Sequence, residues 1–420
     1  MIISAYILSS LAFLFSLAII LKPKRVGVVM PLKLFAMSFS LFWTLAGLVG
    51  FVLGMFVKAY PAVVIGVLGG GWMLAYILKN TWENQALESA FGEGWADNIP
   101  ADQLEKMVLS RWAWHQPMKA HHEPGFDQDV VYWTLANSGR QLLCDIWQPA
   151  DGKRSGLTFI YAHGSGWWVA DKDFHKTTRP LFRHLVAQGH TVMDIAYRLC
   201  PEVQLHDMVA DVKRAVAWMR ENAENYGVDP QKIVLAGGSA GGHLALLSGY
   251  TPNHPELTPP ELQGGDDPVH AIATYYPPVD LVEGYYRYNE YILSLGLPGV
   301  EVGQSIPEKE RFEQIGRIDF LLGGLPEDVP EMYRLASPLT HVNENSPPTL
   351  LMQGSRDVLV PHEPAIELHQ KLQSLRVPSV CVIQPWTEHA YDLLLPQFSP
   401  PAQNSLFHLD RFLAIMLNRE

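Results

Sequence analysis

The first 79 residues of this 420-residue chain contain no Asp or Glu, and this absence constrains the fold more than any other feature. The segment instead holds three long uncharged apolar runs, at residues 2–21, 34–57 and 60–78. A helix needs about 20 apolar residues to cross the roughly 30 Å hydrocarbon core of a bilayer. The sequence therefore predicts three transmembrane helices that form a membrane anchor over residues 1–79.

The basic residues of this segment lie unevenly around the three runs. One of the six, Lys58, lies between the second and third runs. The other five lie on the opposite side of the predicted membrane: Lys22, Lys24, Arg25, Lys33 and Lys79. The main domain is predicted to lie on this same side, because it follows the third run. Because positive residues collect in short cytoplasmic loops, the sequence predicts a multi-pass integral membrane protein with an external amino terminus and a cytoplasmic main domain.

Little more than Lys58 separates the second and third runs, which predicts a tight helical hairpin. Each run carries two glycines four residues apart, Gly50 with Gly54 and Gly66 with Gly70. Such pairs let helix backbones approach closely. Glycine is also simply common in membrane helices, so a packing role is one of two interpretations.

The rest of the chain has the composition of a globular region. The whole chain carries a formal net charge of −12. Nucleic-acid-binding proteins are usually basic, so no nucleic-acid partner is predicted. The cysteines Cys144, Cys200 and Cys381 form no CxxC pair, which gives no sign of a zinc site or a disulfide framework. Because a phosphate-binding loop and a dinucleotide fingerprint are also missing, no cofactor or metal is predicted.

Residues 80–128 are predicted to form a linker that packs on the main domain. Within it, residues 101–110 form an acidic, helix-like stretch. His121 and His122, next to Glu123, are a possible metal-binding pair. The Pro-Gly sequence that follows them favours a turn over a metal site.

From about residue 129 to residue 420, short apolar strands alternate with helices. This alternation predicts a mostly parallel sheet covered by helices on both faces, with the first two strands as an antiparallel edge. Residues 283–335 interrupt the alternation and are predicted to be an inserted cap. The predicted strands lie at 130–135, 142–148, 157–162, 190–197, 232–236, 270–276, 349–353 and 377–384.

The strongest local motif is Gly-x-Ser-x-Gly, with Ser239 at its centre between Gly237 and Gly241. A serine held on a sharp turn between a strand and a helix has strained backbone angles, so its neighbours must be small. A predicted strand precedes the motif and a helix of small residues follows it, as this geometry requires. Ser239 is therefore predicted to be a nucleophile.

A serine needs a base to become nucleophilic, and the base needs an acid to orient it. Where the serine sits on such a turn, the acid and then the histidine follow it along the chain. Asp357 follows the strand at 349–353, and His389 follows the last predicted strand. Both would lie at carboxyl ends of parallel strands, at the sheet edge that also holds Ser239. We therefore predict Asp357 as the acid and His389 as the base.

Three other residues compete for these roles. Asp280 would place the acid one strand too early, and Asp392 is expected to lie in the helix after the last strand. His243 lies on the buried helix that follows Ser239, where a core histidine with satisfied hydrogen bonds is the simpler interpretation.

A loop before the nucleophile has the composition of an oxyanion hole. His163, Gly164, Ser165 and Gly166 close a predicted strand and form a His-Gly-x-Gly sequence similar to the HGGG-type loop of lipases and esterases. The predicted donors to a developing oxyanion are the backbone amides of Ser165 and Gly166, together with that of Ala240.

In this order, these motifs resemble the α/β-hydrolase superfamily, and most closely its hormone-sensitive-lipase-like and carboxylesterase group with related formamidases. The stretches at residues 197–202, 336–339 and 347–350 are also similar to that group, and the resemblance covers about 130–418. Two positions depart from its pattern. Ser165 stands where the group usually has the middle glycine of the loop, and Gly238 stands where many relatives of hormone-sensitive lipase have Asp.

The resemblance implies an α/β-hydrolase fold with an inserted cap, preceded here by three transmembrane helices. It also implies a serine hydrolase that cleaves a small carboxylic ester through an acyl-enzyme. The predicted membrane anchor would suit a lipophilic ester. An amidase or formamidase of the same fold and a non-catalytic binding protein are the alternatives. The cap carries four tyrosines that suit either an apolar pocket wall or packing of the cap on the body: Tyr285, Tyr286, Tyr288 and Tyr291.

Overall fold

The computed structural model describes residues 1–21, 29–82, 84–108, 110–112, 124–149, 154–294 and 317–419. The helices are α1 (Ile2–Ile20), α2 (Val29–Ser38), α3 (Ser40–Phe56), α4 (Tyr60–Thr81), α5 (Ala86–Phe91), α6 (Ala101–Leu104), α7 (Arg179–Ala187), α8 (Leu205–Glu221), α9 (Ala223–Tyr226), α10 (Ala240–Tyr250), α11 (Leu281–Ser294), α12 (Ile318–Leu322), α13 (Pro330–Ala336), α14 (Pro338–His341), α15 (Glu363–Ser374) and α16 (Pro400–Asn418). The strands are β1 (Gly125–Thr134), β2 (Gln141–Gln148), β3 (Thr158–Ala162), β4 (Thr191–Ile195), β5 (Ile233–Gly238), β6 (Ala271–Tyr275), β7 (Thr349–Gly354) and β8 (Ser379–Gln384).

The second predicted membrane span is not one straight helix. It divides at Phe39 into α2 and α3, whose axes meet at 73°. Polar groups on α2 explain the bend, because Lys33 and Ser38 bond to the main domain instead of facing lipid. Only α1 and α4 are each long and apolar enough to cross a bilayer among the described residues, and a third span exists only if α2 and α3 count as one. The prediction of three spans is therefore not confirmed.

The predicted glycine pairs lie at helix contacts within the anchor. A side-chain carbon on Gly66 of α4 would lie 2.7 Å from the carbonyl oxygen of Gly47 on α3. One on Gly54 would lie 2.9 Å from the side chain of Val63. Gly50 faces α1 at Ser9. Glycine therefore allows α1, α3 and α4 to pack closely, as the packing interpretation predicts.

The outer faces of these three helices are strongly apolar. Such a large exposed apolar surface is unfavourable in water and suits contact with lipid. The exposed large side chains are Ile2, Ile3, Tyr6, Ile7, Leu11 and Leu14 on α1, Phe42, Leu45, Leu48, Val49, Val52, Met55 and Phe56 on α3, and Tyr60, Val64, Val67, Leu68, Leu74 and Leu78 on α4.

The main domain is built on one eight-stranded sheet in the order β1-β2-β4-β3-β5-β6-β7-β8. From β4 to β8 every neighbouring pair is parallel, while β1 pairs antiparallel with β2 and β2 with β4. The predicted parallel sheet with an antiparallel edge is confirmed. The central strands β3 to β6 are buried along their whole length, as expected when helices cover both faces.

Successive residues of each strand contribute to different cores. Ile160 of β3 packs in a core with α8 and α10, whereas Phe159 and Tyr161 pack in a second core with α7 and α16. The second core also contains Met73 and Tyr76 of α4. The apolar packing of the anchor is therefore continuous with that of the main domain.

The linker packs against the last helix, but its predicted helix is short. Helix α6 is a single turn of the stretch 101–110. The amide of Val108 donates to Asp410 of α16 at 2.9 Å, and Arg411 donates to the Val108 carbonyl at 2.9 Å. The possible metal pair, His121 and His122, lies outside the described residues. The Pro-Gly sequence predicted as a turn leads directly into a strand, since β1 begins at Gly125.

The predicted cap contains α12, α13 and most of α11, and residues 295–316 lie outside the described residues. Tyr285 is buried with its ring 5.9 Å from that of Tyr333. Tyr286 is exposed, and the side chains of Tyr288 and Tyr291 are not described. Tyr285 therefore fits the packing interpretation of the cap tyrosines and not the pocket wall.

Candidate active site

Ser239 occupies a sharp turn between β5 and α10. Its backbone angles are φ 53° and ψ −124°, a left-handed conformation that is rare for residues other than glycine. The turn also needs small neighbours, because a side-chain carbon on Gly241 would overlap the carbonyl group of Ala162. The five-residue motif thus adopts the geometry that its composition predicts.

Two further predicted residues meet at Ser239. The Nε2 atom of His389 lies 3.0 Å from the Ser239 hydroxyl, and its Nδ1 atom lies 2.7 Å from Oδ2 of Asp357. The loops after β5, β7 and β8 carry the three residues, and the sheet order brings these loops to one edge. Parallel strands place their carboxyl ends at the same edge, where such sheets bind ligands. The structure therefore brings together the three residues predicted as nucleophile, acid and base.

The carboxylate of Asp357 is held by several donors. Its Oδ1 atom accepts from the amides of Leu359 and Val360 at 2.9 and 2.8 Å, and its Oδ2 atom accepts from Gln353 at 3.0 Å. Burial acts to lower the pKa of His389, but the charge and hydrogen bond of Asp357 outweigh it, so the pKa of His389 is raised above its ordinary value. In an arrangement of this kind, the carboxylate stabilises the imidazolium that forms when a histidine takes a proton.

The competing residues have other partners. Asp280 accepts from the amides of Val282 and Glu283 at the start of α11. Asp392 accepts from the Tyr276 hydroxyl at 2.6 Å, and burial raises its pKa to about 6. The prediction that Asp392 lies in the helix after the last strand is wrong, because α16 begins at Pro400.

His243 is fully buried on α10. The indole nitrogen of Trp167 donates to its Nδ1 atom at 3.2 Å, and its Nε2 atom donates to the Ala336 carbonyl at 2.8 Å. Burial lowers its pKa to about 4, so the ring is neutral at physiological pH. His243 is therefore the satisfied core histidine that the sequence predicts.

The predicted oxyanion loop lies against the nucleophile turn. A side-chain carbon on Gly164 would be 3.0 Å from the Gly238 carbonyl oxygen and 3.3 Å from Cβ of Ser239. Ser165 and Gly166 both have positive φ, at 116° and 63°. Among the described residues, no hydrogen bond uses the amides of Ser165, Gly166 or Ala240. Because Ser165 and Gly166 follow Gly164 in this loop and Ala240 follows Ser239, these three amides stay the candidate donors to an oxyanion.

His163 holds the start of this loop through hydrogen bonds to Gly164 and Tyr197. Its Nδ1 atom donates to the Gly164 carbonyl at 2.8 Å, and its own carbonyl accepts from the Tyr197 hydroxyl at 2.9 Å. The two rings stack at 4.5 Å. Burial lowers the pKa of His163 to about 4, so it acts as a neutral support.

Sequence reasoning did not identify Glu388, which is buried beside His389. Its Oε1 atom accepts from the amides of Val358 and His389 at 2.7 and 3.1 Å. Its Oε2 atom forms an ion pair with Lys33 of α2 at 2.8 Å. The adjacency of Glu388 to His389 was the only available signal, since nothing local connects residue 33 with residue 388.

The described residues contain no group of His, Cys, Asp and Glu side chains arranged to hold a metal ion. The site does hold a hydrogen-bonded serine, histidine and aspartate, beside the loop that begins at His163 and Gly164. That combination suits nucleophilic attack on a carbonyl group.

The known proteins similar to this chain include esterases. The sequence model of the BD-FAE family matches residues 144–372, more than half of the chain. The "Probable carboxylic ester hydrolase LipM" of Mycobacterium tuberculosis is 29% identical over 71% of this chain and 63% of its own length. "Esterase LipQ" of the same organism is 28% identical over 82% of this chain and 80% of its own length. The matched part of this chain thus spans less than two thirds of LipM.

The solved structure of the propionate-bound esterase Est2 from Thermogutta terrifontis is also similar. It is 25% identical, with a TM-score of 0.51, and the match covers 72% of this chain and 96% of Est2. The match therefore includes nearly all of Est2 but leaves part of this chain outside it.

Proposed function

Because the chain belongs to the BD-FAE family of α/β-hydrolases, we propose that it is a membrane-anchored serine hydrolase of carboxylic esters. The hydrogen-bonded series from Ser239 through His389 to Asp357 is the observation that carries this proposal. The esterase names of LipM and LipQ support an ester as the substrate class.

In the proposed reaction, Ser239 Oγ attacks the ester carbonyl while His389 Nε2 accepts the hydroxyl proton. The amides of Ser165, Gly166 and Ala240 donate to the oxyanion that develops on the carbonyl oxygen. His389 then returns the proton to the alcohol oxygen as the carbon–oxygen bond breaks, which leaves an acyl group on Ser239. His389 then takes a proton from a water molecule, which attacks the acyl carbonyl. The acid leaves as His389 returns this proton to Ser239 Oγ.

Neither alternative function gains support. The compared relatives are named esterases, which does not favour amide bonds. Binding proteins of this fold typically lose a residue of the catalytic set, whereas here Ser239, His389 and Asp357 are all present and bonded.

The anchor supports a lipophilic ester as the substrate. The loop that carries His389 lies against α2 and α4, so the catalytic edge of the sheet faces the anchor. An ester that partitions into the bilayer would then reach the site over a short path. We place the main domain on the cytoplasmic side from the basic residues, although Lys33 is paired within the protein and does not count as a loop charge.

Labelling of the full chain in detergent with a fluorophosphonate tests the proposal. We expect covalent labelling and hydrolysis of a short-chain p-nitrophenyl ester, and loss of both in Ser239→Ala, because removal of a triad nucleophile costs about 10⁴- to 10⁶-fold in kcat. Ser248→Ala is the matched control, since this serine lies on α10 away from the site. Labelling or ester hydrolysis that survives in Ser239→Ala would rule out the assignment, and faster cleavage of a matched anilide would favour an amidase.

A further inference from the structure

We propose that the N-terminal anchor positions the catalytic histidine, through the buried ion pair between Lys33 and Glu388. Lys33 is then a positioning residue for the reaction, and the anchor is part of the catalytic apparatus as well as a membrane attachment. The inference rests on the proposed function, because Lys33 can affect turnover in this way only if His389 is the general base.

The ion pair is almost completely enclosed. The Nζ atom of Lys33 lies 2.8 Å from Oε2 of Glu388, and the two side chains are 3% and 1% exposed. A buried charge is strongly unfavourable unless a partner compensates it. Burial and the charge of Asp357 raise the pKa of Glu388, and the ion pair with Lys33 acts against this rise. Lys33 therefore favours the charged carboxylate and holds it in place.

Glu388 transmits this constraint to the catalytic residues. Its second oxygen accepts from the amide of His389 and from the amide of Val358, which directly follows Asp357. One carboxylate thus joins the backbone at the base to the backbone at the acid. A shift of Glu388 would move both ends of the hydrogen bond between His389 and Asp357.

Other residues of the anchor bind the same loop. Asn80 of α4 donates to the Pro385 carbonyl at 3.0 Å and accepts from the Thr387 hydroxyl at 3.2 Å. Ser38 of α2 donates to the Leu394 carbonyl at 2.7 Å. The loop that carries His389 is therefore supported on both sides of the histidine by the anchor.

The backbone of this loop needs such support. Trp386 and Ala390 flank His389 in sequence and both have positive φ, at 54° and 58°. Residues with side chains in this region are strained, and the strain persists only where surrounding contacts impose the conformation. The ring of Trp386 lies 4.9 Å from that of Trp72 on α4, which adds an anchor contact at one of the two strained positions.

Glu388 also affects the charge balance at His389. The charged groups that raise the pKa of His389 are Asp357, Glu388 and Asp392, and the ring of Tyr276 packs on it at 4.3 Å. Loss of the Glu388 charge should therefore lower the pKa of His389. A role in positioning can thus be followed through the pH profile as well as through turnover.

Lys33→Met in the full-length, detergent-solubilised enzyme tests the proposal. Turnover of a water-soluble short-chain ester is measured per active site, with the sites counted by fluorophosphonate labelling so that unfolded protein does not contribute. We expect kcat to fall about 10- to 100-fold, because small displacements of catalytic groups have effects of this size, with KM changed less than twofold. Lys33→Arg keeps the charge and should recover most of the loss.

Lys79→Met is the matched control, since Lys79 is an exposed lysine at the end of α4. It should leave turnover unchanged. If Lys33→Met does not fold, Lys33→Met/Glu388→Gln removes both charges and leaves an amide oxygen for the two backbone donors. This double variant should show the same fall in kcat, with the acid limb of kcat/KM moved to lower pH.

A turnover per labelled site within twofold of the wild type, in Lys33→Met or in the double variant, would overturn the inference. An acid limb that does not move in the double variant would do the same. Failure of the proposed function looks different, because the wild-type protein itself would then lack esterase activity or would not be labelled at Ser239.

Discussion

The position of Ser239, the proposed nucleophile, depends on backbone angles that its neighbours allow. At φ 53° the residue is strained, and the glycines around it leave room for the turn. Asp357 shows the complementary case, in which a functional side chain is held by many donors. Its two oxygens accept from two amides, Gln353 and His389. At the residue scale, strain and hydrogen bonding together set up the site before any substrate arrives.

Asp357→Asn should lower kcat by about 10⁴-fold or somewhat less. The amide cannot stabilise the imidazolium and favours the wrong tautomer of His389. Asp280→Asn is the matched control, since Asp280 caps α11 and does not touch the histidine. Steady-state kinetics on both variants decides the assignment, and a larger loss in Asp280→Asn would show that the acid has been misassigned.

The pH dependence of kcat/KM should show an acid limb above pH 6.5, the ordinary pKa of histidine. Below its pKa His389 carries a proton and cannot act as base, so activity falls as pH decreases through that value. Because Asp357 raises this pKa, the limb lies on the high side of the ordinary value. A flat profile down to pH 4 in folded protein would count against a histidine base.

At the scale of elements, the bend between α2 and α3 decides how the anchor meets the domain. A straight helix through Phe39 would carry Lys33 and Ser38 away from the loop that they bind. Helix α3 instead continues into close contact with α1 and α4 through glycines. The anchor therefore combines three tightly packed apolar helices with a short helix that docks on the loop of His389.

Gly66→Ala should destabilise the anchor, because the added carbon would lie 2.7 Å from the Gly47 carbonyl and push α3 away from α4. Overpacking of this kind costs about 1–3 kcal/mol. Gly71→Ala on the same helix is the matched control, since nothing lies within 4 Å of the added carbon. Thermal unfolding in detergent compares the two, and equal melting temperatures would contradict close packing at Gly66.

For the whole molecule, one apolar core extends from the anchor into the sheet. Met73 and Tyr76 of α4 belong to the same buried cluster as Phe412 of α16. Polar contacts at Asn80 and Lys33 join the same two regions. The anchor and the main domain are therefore packed together, with the loop of His389 next to α2 and α4.

This arrangement predicts that the chain resists extraction from the membrane and that the main domain lies on the cytoplasmic side. Alkaline carbonate should leave the full chain in the membrane fraction, because apolar faces of α1, α3 and α4 would otherwise enter water. A protease added to intact cells or spheroplasts should spare residues 130–420 and cut them after lysis. A known cytoplasmic protein serves as the lysis control. Digestion before lysis would reverse the proposed orientation, and release by carbonate would contradict the spans.

Much of this protein follows from local sequence. The alternation of apolar strands and helices predicted the parallel sheet, because burial on both faces leaves a periodic pattern. The turn at Ser239 was predictable because the small residues that it requires all lie within the five-residue motif around the serine. Asp357 and His389 could be selected because both follow strands, and parallel strands bring such positions to one edge. Each of these inferences needs only neighbouring residues and the order of elements.

The tertiary structure alone decided how the two regions are joined. Lys33 and Glu388 are 355 positions apart, and each has an ordinary local explanation, as a lysine flanking an apolar run and as an acid beside a histidine. The bend at Phe39 was hidden for a similar reason, since the run at 34–57 is uncharged throughout, and the Ser38 hydroxyl finds its partner only in the distant Leu394 carbonyl. Contacts between distant segments depend on three-dimensional packing, and they leave no periodic trace in the sequence.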